Sequence, residues 1–258
     1  MKRVRLVIAY DGTDYCGWQI QPNGITVEEV LNKTIEKVTG ESCCVIGASR
    51  TDSGVHARGN VAVFDTCSTI PPERMAHALN RKLPKDIVIR HSDEVEPSWH
   101  PRYQERILKR YSYHIWNAAW IDPLRSRYCA HVSFPLDIEK MEQGAGYLMG
   151  THDFASFCNI HTQVRNTVRR IDEIRIQKAG SEITIQVCGN GFLYHMVRII
   201  AGTLIRVGRG FYPPERVGEI LEQKLRTEAG VTAPPEGLVL EEICYDSQEE
   251  SGRIKKGR

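Results

Sequence analysis

Asp52 is the residue whose neighbours best equip it to do chemistry. It is the only carboxylate in the stretch from Gly47 to Asn60, GASRTDSGVHARGN, where Arg50, Thr51, Ser53 and His56 are the side chains close enough in sequence to hold it. An acid beside an arginine keeps its charge and a fixed direction, because the guanidinium favours the ionised form and offers a planar fork of donors. Such a carboxylate can act as a nucleophile or a base. The same residue types also suit an Asx-turn, in which Asp52 would only satisfy backbone amides.

Two apolar runs, Cys43 to Ile46 and Val61 to Phe64, flank the stretch, so it reads as a loop between strands on a rigid scaffold. Upstream, residues 3–10 alternate as a half-exposed strand that Asp11-Gly12-Thr13 ends, and an aromatic loop, Tyr15-Cys16-Gly17-Trp18-Gln19, follows. Thr26 and Glu29 form a capping box, after which Val27, Val30, Leu31, Ile35 and Val38 share a helical face that Gly40 closes. A second helix opens at Pro71-Pro72-Glu73, turns Met75, Ala78 and Leu79 inward, and precedes a strand at Ile87 to Ile89. The first half therefore runs β-α-β-β-α-β, the order of ferredoxin-like and RNA-recognition sheets.

Ile107 to Trp116 is a strand that carries Tyr111 and Tyr113 on one face, an arrangement that serves ordinary cross-strand packing as readily as stacking on a base. Asp137 caps a helix from about Ile138 to Met149 that Gly150 ends. Arg165, Arg169, Arg170 and Arg175 then lie along a loop and strand, and are the strongest phosphate-contact candidates because guanidinium forks bind phosphate bidentately. After a strand at Ile183 to Val187, GNGFLYHMVRIIAGTLIRVG turns immediately into a long helix; Phe192, Met196, Ile199, Ile200 and Thr203 can bury one side of it, which leaves His195, Arg198 and Arg206 off that face. A last helix starts at Pro213-Pro214-Glu215, a closing strand spans Val239 to Tyr245, and residues 247–258 read as a disordered tail.

The chain has 258 residues and no long apolar run, so a membrane span is not expected and the cytoplasm is the default compartment. Its eight cysteines, at 16, 43, 44, 67, 129, 158, 188 and 244, show no paired ligand spacing and read as reduced thiols rather than a zinc site. The net charge of +2 hides a segregation. Residues 101–212 hold 15 basic against 9 acidic side chains, a net of +6, whereas residues 213–250 hold 3 against 10, a net of −7. A basic middle suits a polyanion, although solvated helix faces can segregate in the same way.

RTDSGVHA, with a V-A-x-F-D strand after it, resembles the signature loop of the tRNA pseudouridine synthase A family. YDGTDYCGWQ is similar to that family's opening motif, KRYSY to its second, and N-x-F-x-x-H-M-V-R, at residues 190–198, to its third. The resemblance runs from about residue 3 to 245 and departs at Ser49 and Asn60, where the family usually carries Gly and Gln. It implies two ferredoxin-like, RRM-like halves, 1–98 and 99–246, in an α+β fold whose mixed, mainly antiparallel sheet joins around a central active-site cleft. It further implies a homodimer, with the cleft of one subunit completed by the other, that binds tRNA and uses no metal or cofactor. The implied activity is isomerisation of uridine to pseudouridine on the 3′ side of the anticodon arm. Asp52 is the implied catalytic residue, with Tyr111 stacking on the target base, Arg50 helping to extrude the nucleotide, Arg198 pairing with Asp52, and His195 beside it in the same motif.

Two readings from other classes stand against this one. A catalytically silent RNA-binding module would need no convergence of Asp52, Tyr111 and Arg198. A nucleoside hydrolase would need a metal or a second carboxylate beside Asp52, and the sequence offers no obvious second acid.

Overall fold

Period-two alternation sets the first strand, β1 (Lys2–Tyr10): Val4, Leu6 and Ile8 are fully buried, while Arg3 and Arg5 point away and pair with Asp65 and Asp93 at 2.7 Å. The computed structural model describes residues 1–160, 162 and 164–245, so the tail expected at 247–258 lies outside the described residues. After β1 come α1 (Val27–Thr39), β2 (Ile46–Gly47), β3 (His56–Thr66), α2 (Pro72–Asn80) and β4 (Ile87–Val95). Thr26 caps α1 by accepting from the Glu29 amide, and Gly40 ends the helix in the left-handed conformation, as the capping box requires.

These strands lie in the order β4-β1-β3-β2. The second half contains β5 (Ile107–Trp116), β6 (Ala130–His131), α3 (Ile138–Gly146), β7 (Gly150–Asp153), β8 (Val168–Ala179), β9 (Glu182–Gly189), α4 (Met196–Gly208), α5 (Arg216–Gln223) and β10 (Leu238–Tyr245). Its main strands repeat the pattern as β10-β5-β9-β8, with β7 added at the edge. Parallel pairing of Val239 with His56 and Leu240 with Ala57 joins β10 to β3, making one ten-stranded sheet that is otherwise mostly antiparallel. That seam starts at the first residues of β3, directly after the Asp52 loop.

Several boundaries differ from the sequence reading, each for a local reason. The strand before the loop is only Ile46–Gly47, because the Val45 amide is taken by the Asn32 side chain. The loop proper is Ala48 to Val55, so Asn60 stands inside β3 and is fully buried. α3 stops at Gly146, and α5 begins at Arg216, where the chain leaves Pro213-Pro214. GNGFLYH does not enter a helix at once: α4 begins at Met196, and His195 before it has φ 62°.

The aromatic loop packs on the Asp52 loop and braces it. The Trp18 amide donates to the Thr51 carbonyl at 3.0 Å, and the Gly54 amide donates to the Tyr15 carbonyl at 3.3 Å. Gly17 between them has φ 81°, and any Cβ there would press on the Thr51 carbonyl oxygen, so the approach requires glycine.

Candidate active site

Asp52 points into a cleft of about 750 Å³ whose lining includes Arg50, Lys109, Tyr111, Phe192 and His195. That volume suits a nucleotide-sized ligand. None of the four neighbours that the sequence offered holds the carboxylate. Thr51 is hydrogen-bonded to Tyr10 through its hydroxyl at 2.7 Å, Ser53 donates to the Tyr15 carbonyl at 3.3 Å, and His56 Nδ1 accepts from the Gly12 amide at 3.1 Å. Arg50 is exposed at the cleft wall.

The partners come instead from the far end of the chain. Arg198, in the first turn of α4, donates through Nη1 to Asp52 Oδ2 at 3.0 Å, and its Nε donates to the Ala233 carbonyl at 2.8 Å. Both side chains of the pair are largely buried, at 12% and 15% exposed, so screening by water is weak. The guanidinium is thereby fixed at two points while one edge faces the carboxylate.

His195 Nε2 lies 3.5 Å from the same Oδ2. The Asn159 amide donates to His195 Nδ1 at 2.9 Å, which leaves the ring proton of a neutral imidazole on Nε2, facing Asp52. Burial, reinforced by the positive charges of Arg198 and Arg226, holds the imidazole below its ordinary pKa despite the pull of Asp52. The neutral form therefore prevails at neutral pH. The left-handed backbone at a non-glycine residue stores strain where the side chain must be aimed.

Tyr111 is buried against the edge of Phe192, with ring centroids 5.2 Å apart and planes at 85°. Burial pushes its phenol up to about 12, and the charge of Asp52 adds to that rise while the Ser49 hydrogen bond opposes it. Tyr113, two residues on, is buried and donates to the Pro234 carbonyl at 2.8 Å, a packing role.

Ser49 and Asn60, the two departures from the family pattern, contact each other. Asn60 Oδ1 accepts from the Ser49 amide at 3.3 Å and its Nδ2 donates to the Ser49 carbonyl at 3.0 Å. The Ser49 hydroxyl is hydrogen-bonded to the Tyr111 hydroxyl at 2.8 Å. Lys109, which the sequence reading did not single out, donates to the Ala48 carbonyl at 2.9 Å. It opens the KRYSY motif, and it precedes Tyr111 by two on a strand and so shares its face.

The four candidate phosphate-binding arginines divide. None lines the cleft. Arg165 is exposed beside Val164, which does line it, and Arg169 lies beside Gly191, next to the cleft residue Phe192. Arg170 pairs with Asp172 at 2.9 Å, and Arg175, opposite Gln186 farther along β8, pairs with Glu173 at 2.5 Å. Among the described residues no cluster of three or more His, Cys, Asp or Glu could hold a metal ion, and no helix is long and apolar enough to cross a membrane.

Comparison with known proteins bears on this geometry. A family model described as tRNA pseudouridine synthase matches residues 6–104 and 145–246. The tRNA pseudouridine synthase A of Thermoanaerobacter sp. (strain X514) is 49% identical over 245 residues, covering 95% of this chain and 100% of that protein. The protein of the same name from Brevibacillus brevis is 48% identical over the same shares of both chains. Among solved structures, a chain in a crystal structure of a Cbf5-Nop10-Gar1 complex aligns with 90% of this chain and 47% of its own length. Its identity is 13% and its TM-score 0.34. The family match includes the Asp52 loop, Arg198 and the seam between the half-sheets, and the chain belongs to the tRNA pseudouridine synthase family of isomerases.

Proposed function

We propose that this enzyme converts uridines on the 3′ side of the anticodon arm of tRNA to pseudouridine, with Asp52 as the catalytic residue. The observation that carries the reading is the Asp52 carboxylate held by Arg198 at 3.0 Å in a cleft that Tyr111 also lines. Isomerisation breaks the C1′–N1 bond, turns the uracil while it is held, and forms a C1′–C5 bond. The proton on C5 leaves, and N1 gains one. Atoms balance without water, oxidant or reductant, so a lone carboxylate suffices where a hydrolytic glycosidase needs two.

A single ionised acid can take three routes: attack on C1′, addition to the ring, or removal of a sugar proton. Each needs Asp52 charged and aimed, which is what Arg198 and neutral His195 supply. Tyr111 stacks on the flipped uracil, and Phe192 limits its movement. Stacking on an aromatic recovers about 1–3 kcal/mol of the cost of extrusion, which is least in a loop or frayed stem. Arg50, exposed at the wall, contacts the displaced backbone. We further read the chain as two units, 1–98 and 99–246, that work as a cytoplasmic homodimer, with the cleft of each subunit completed by the other.

tRNA carrying tritium at uridine C5 tests the proposal, because forming the new bond must release that label to water. The wild type should release it, and Asp52→Ala should bind tRNA but release none. Binding without release by both proteins would instead favour a silent RNA-binding role, and free uracil as product would favour a hydrolase.

A further inference from the structure

Lys109 is a positively charged side chain in the active-site cleft for which the reaction above has no use. Among the described residues no carboxylate pairs with it; its ammonium donates to the Ala48 carbonyl at 2.9 Å and lies 3.4 Å from the Ser49 hydroxyl. Two further side chains from the same part of the chain hold the adjoining residues. Arg102 Nε donates to the Gly47 carbonyl at 2.7 Å, and the Tyr111 hydroxyl is hydrogen-bonded to the Ser49 hydroxyl at 2.8 Å. Residues 47, 48 and 49 are thus gripped in succession by 102, 109 and 111. Those three positions lead directly to Asp52.

The grip crosses the seam. Gly47 to Ser49 belong to the first half-sheet, where the Ala48 amide donates to the Val61 carbonyl at 2.7 Å and Asn60 brackets Ser49 from below. Lys109 and Tyr111 belong to β5, in the second. Direct strand pairing across the join is confined to two residue pairs of β3 and β10, so side chains must set how the Asp52 loop stands against Tyr111.

From this geometry we propose that Lys109 and Ser49 are positioning residues that lock the Asp52 loop to Tyr111, and that the lock needs the charge on Lys109. With the ammonium donating to the Ser49 oxygen, the serine hydrogen is free to donate to the Tyr111 oxygen, which fixes the direction of the phenol. The ammonium is drawn down to about 8, first by burial and then by the positive charges of Arg102 and Arg169. Arg50 faces Arg102 from the catalytic loop, and Tyr111 and Tyr113 are the other titratable groups on the same strand face. As pH rises through about 8 the ammonium loses its charge, its bond to Ala48 weakens and turnover falls.

Stability moves the other way. A lysine whose folded pKa lies below its unfolded value makes the unfolded chain the greater binder of protons between about 8 and 10.5, so its contribution to stability rises with pH in that window. A purely structural lysine would carry turnover with stability. A positioning lysine whose charge matters separates them.

The test uses tritium release from tRNA by the full-length protein and rests on the function proposed above. Wild-type kcat should fall through pH about 8. Lys109→Met should lower kcat by about tenfold or more at neutral pH and lack that fall, and Lys109→Arg should keep most of kcat and carry the fall to higher pH. Ser49→Ala, which removes one hydrogen bond, should lower kcat by about three- to tenfold with KM unchanged. The substrate's own N3 proton contributes equally to every variant, so the differences between profiles are read. Urea unfolding of wild type against Lys109→Met should show the wild type gaining stability between pH about 8 and 10.5. Wild-type kcat in both Lys109→Met and Ser49→Ala, a loss confined to KM, or a wild-type profile without the fall would overturn the proposal. If Lys109→Met does not fold, Ser49→Ala and the wild-type profile decide. Absence of tritium release by the wild type would reject the function itself, a different outcome.

Discussion

Arg198 shows how much of this site depends on one side chain with two obligations. Its guanidinium bonds Asp52 and the Ala233 carbonyl at once, a fork that lysine cannot reproduce with a single point charge. Arg198→Lys should therefore keep the fold and the ion pair but lose the direction of Asp52, lowering kcat by at least about tenfold. Arg198→Met, which leaves a largely buried carboxylate without its partner, should also cost roughly 1–3 kcal/mol of stability, read by urea unfolding. Retention of wild-type turnover by Arg198→Lys would show that charge alone suffices. Nothing local in the sequence joins these residues, which stand 146 positions apart. Only the family motifs brought them together, while the nearer candidates, Thr51, Ser53 and His56, prove to be committed to Tyr10, Tyr15 and the Gly12 amide. Lys109, the first residue of KRYSY, was given no role for the opposite reason, since a lysine on an alternating strand reads as a solvated face unless the loop above it is known.

Helix α4 carries Arg198 to the cleft, and its position depends on a close approach to the segment that follows α5. The Ala233 amide donates to the Arg198 carbonyl at 3.1 Å while Arg198 donates back to Ala233, so helix and segment hold each other. Gly202, one turn on, lies against that segment, where a Cβ would overlap the Val231 carbonyl oxygen. Backbone cannot yield as a flexible side chain can. Gly202→Ala should push the segment away, costing about 1–3 kcal/mol by thermal or urea unfolding and lowering turnover through a loosened Arg198. Full turnover in a destabilised Gly202→Ala would mean that the grip on Ala233 does not aim the guanidinium. Elements bounded by strong local signals were legible in the sequence: Thr26 and Gly40 delimit α1, and Asp137 starts α3, as their side chains and backbone dictate. The approach to α4 was not. Phe192 and Leu193 before the turn and Met196 and Val197 after it blur the boundary, and the left-handed turn falls on His195, a residue type that adopts that conformation more often than most but not often enough to mark it.

At the scale of the whole molecule, the strand order 4-1-3-2 occurs twice and the repeats meet at β3 and β10, an arrangement legible in its first half from hydrophobic period and turns but invisible at the join. Charge is distributed unevenly along the chain: residues 101–212 carry a net +6, and residues 213–250 carry −7. Cationic side chains that neutralise phosphates release the counterions condensed on the polyanion, so tRNA binding should weaken steeply with salt, with a log–log slope set by the number of phosphates neutralised. The arginines should not contribute equally. Arg165 and Arg169 flank residues that reach the cleft, whereas Arg170 and Arg175 already pair with Asp172 and Glu173 on β8. Arg165→Ala and Arg169→Ala should each reduce the salt slope by about 1, and Arg175→Ala should leave it unchanged. A slope reduced equally by all three would mean that the RNA lies along β8 as well as over the cleft, and that the ion pairs on that strand open to admit phosphate.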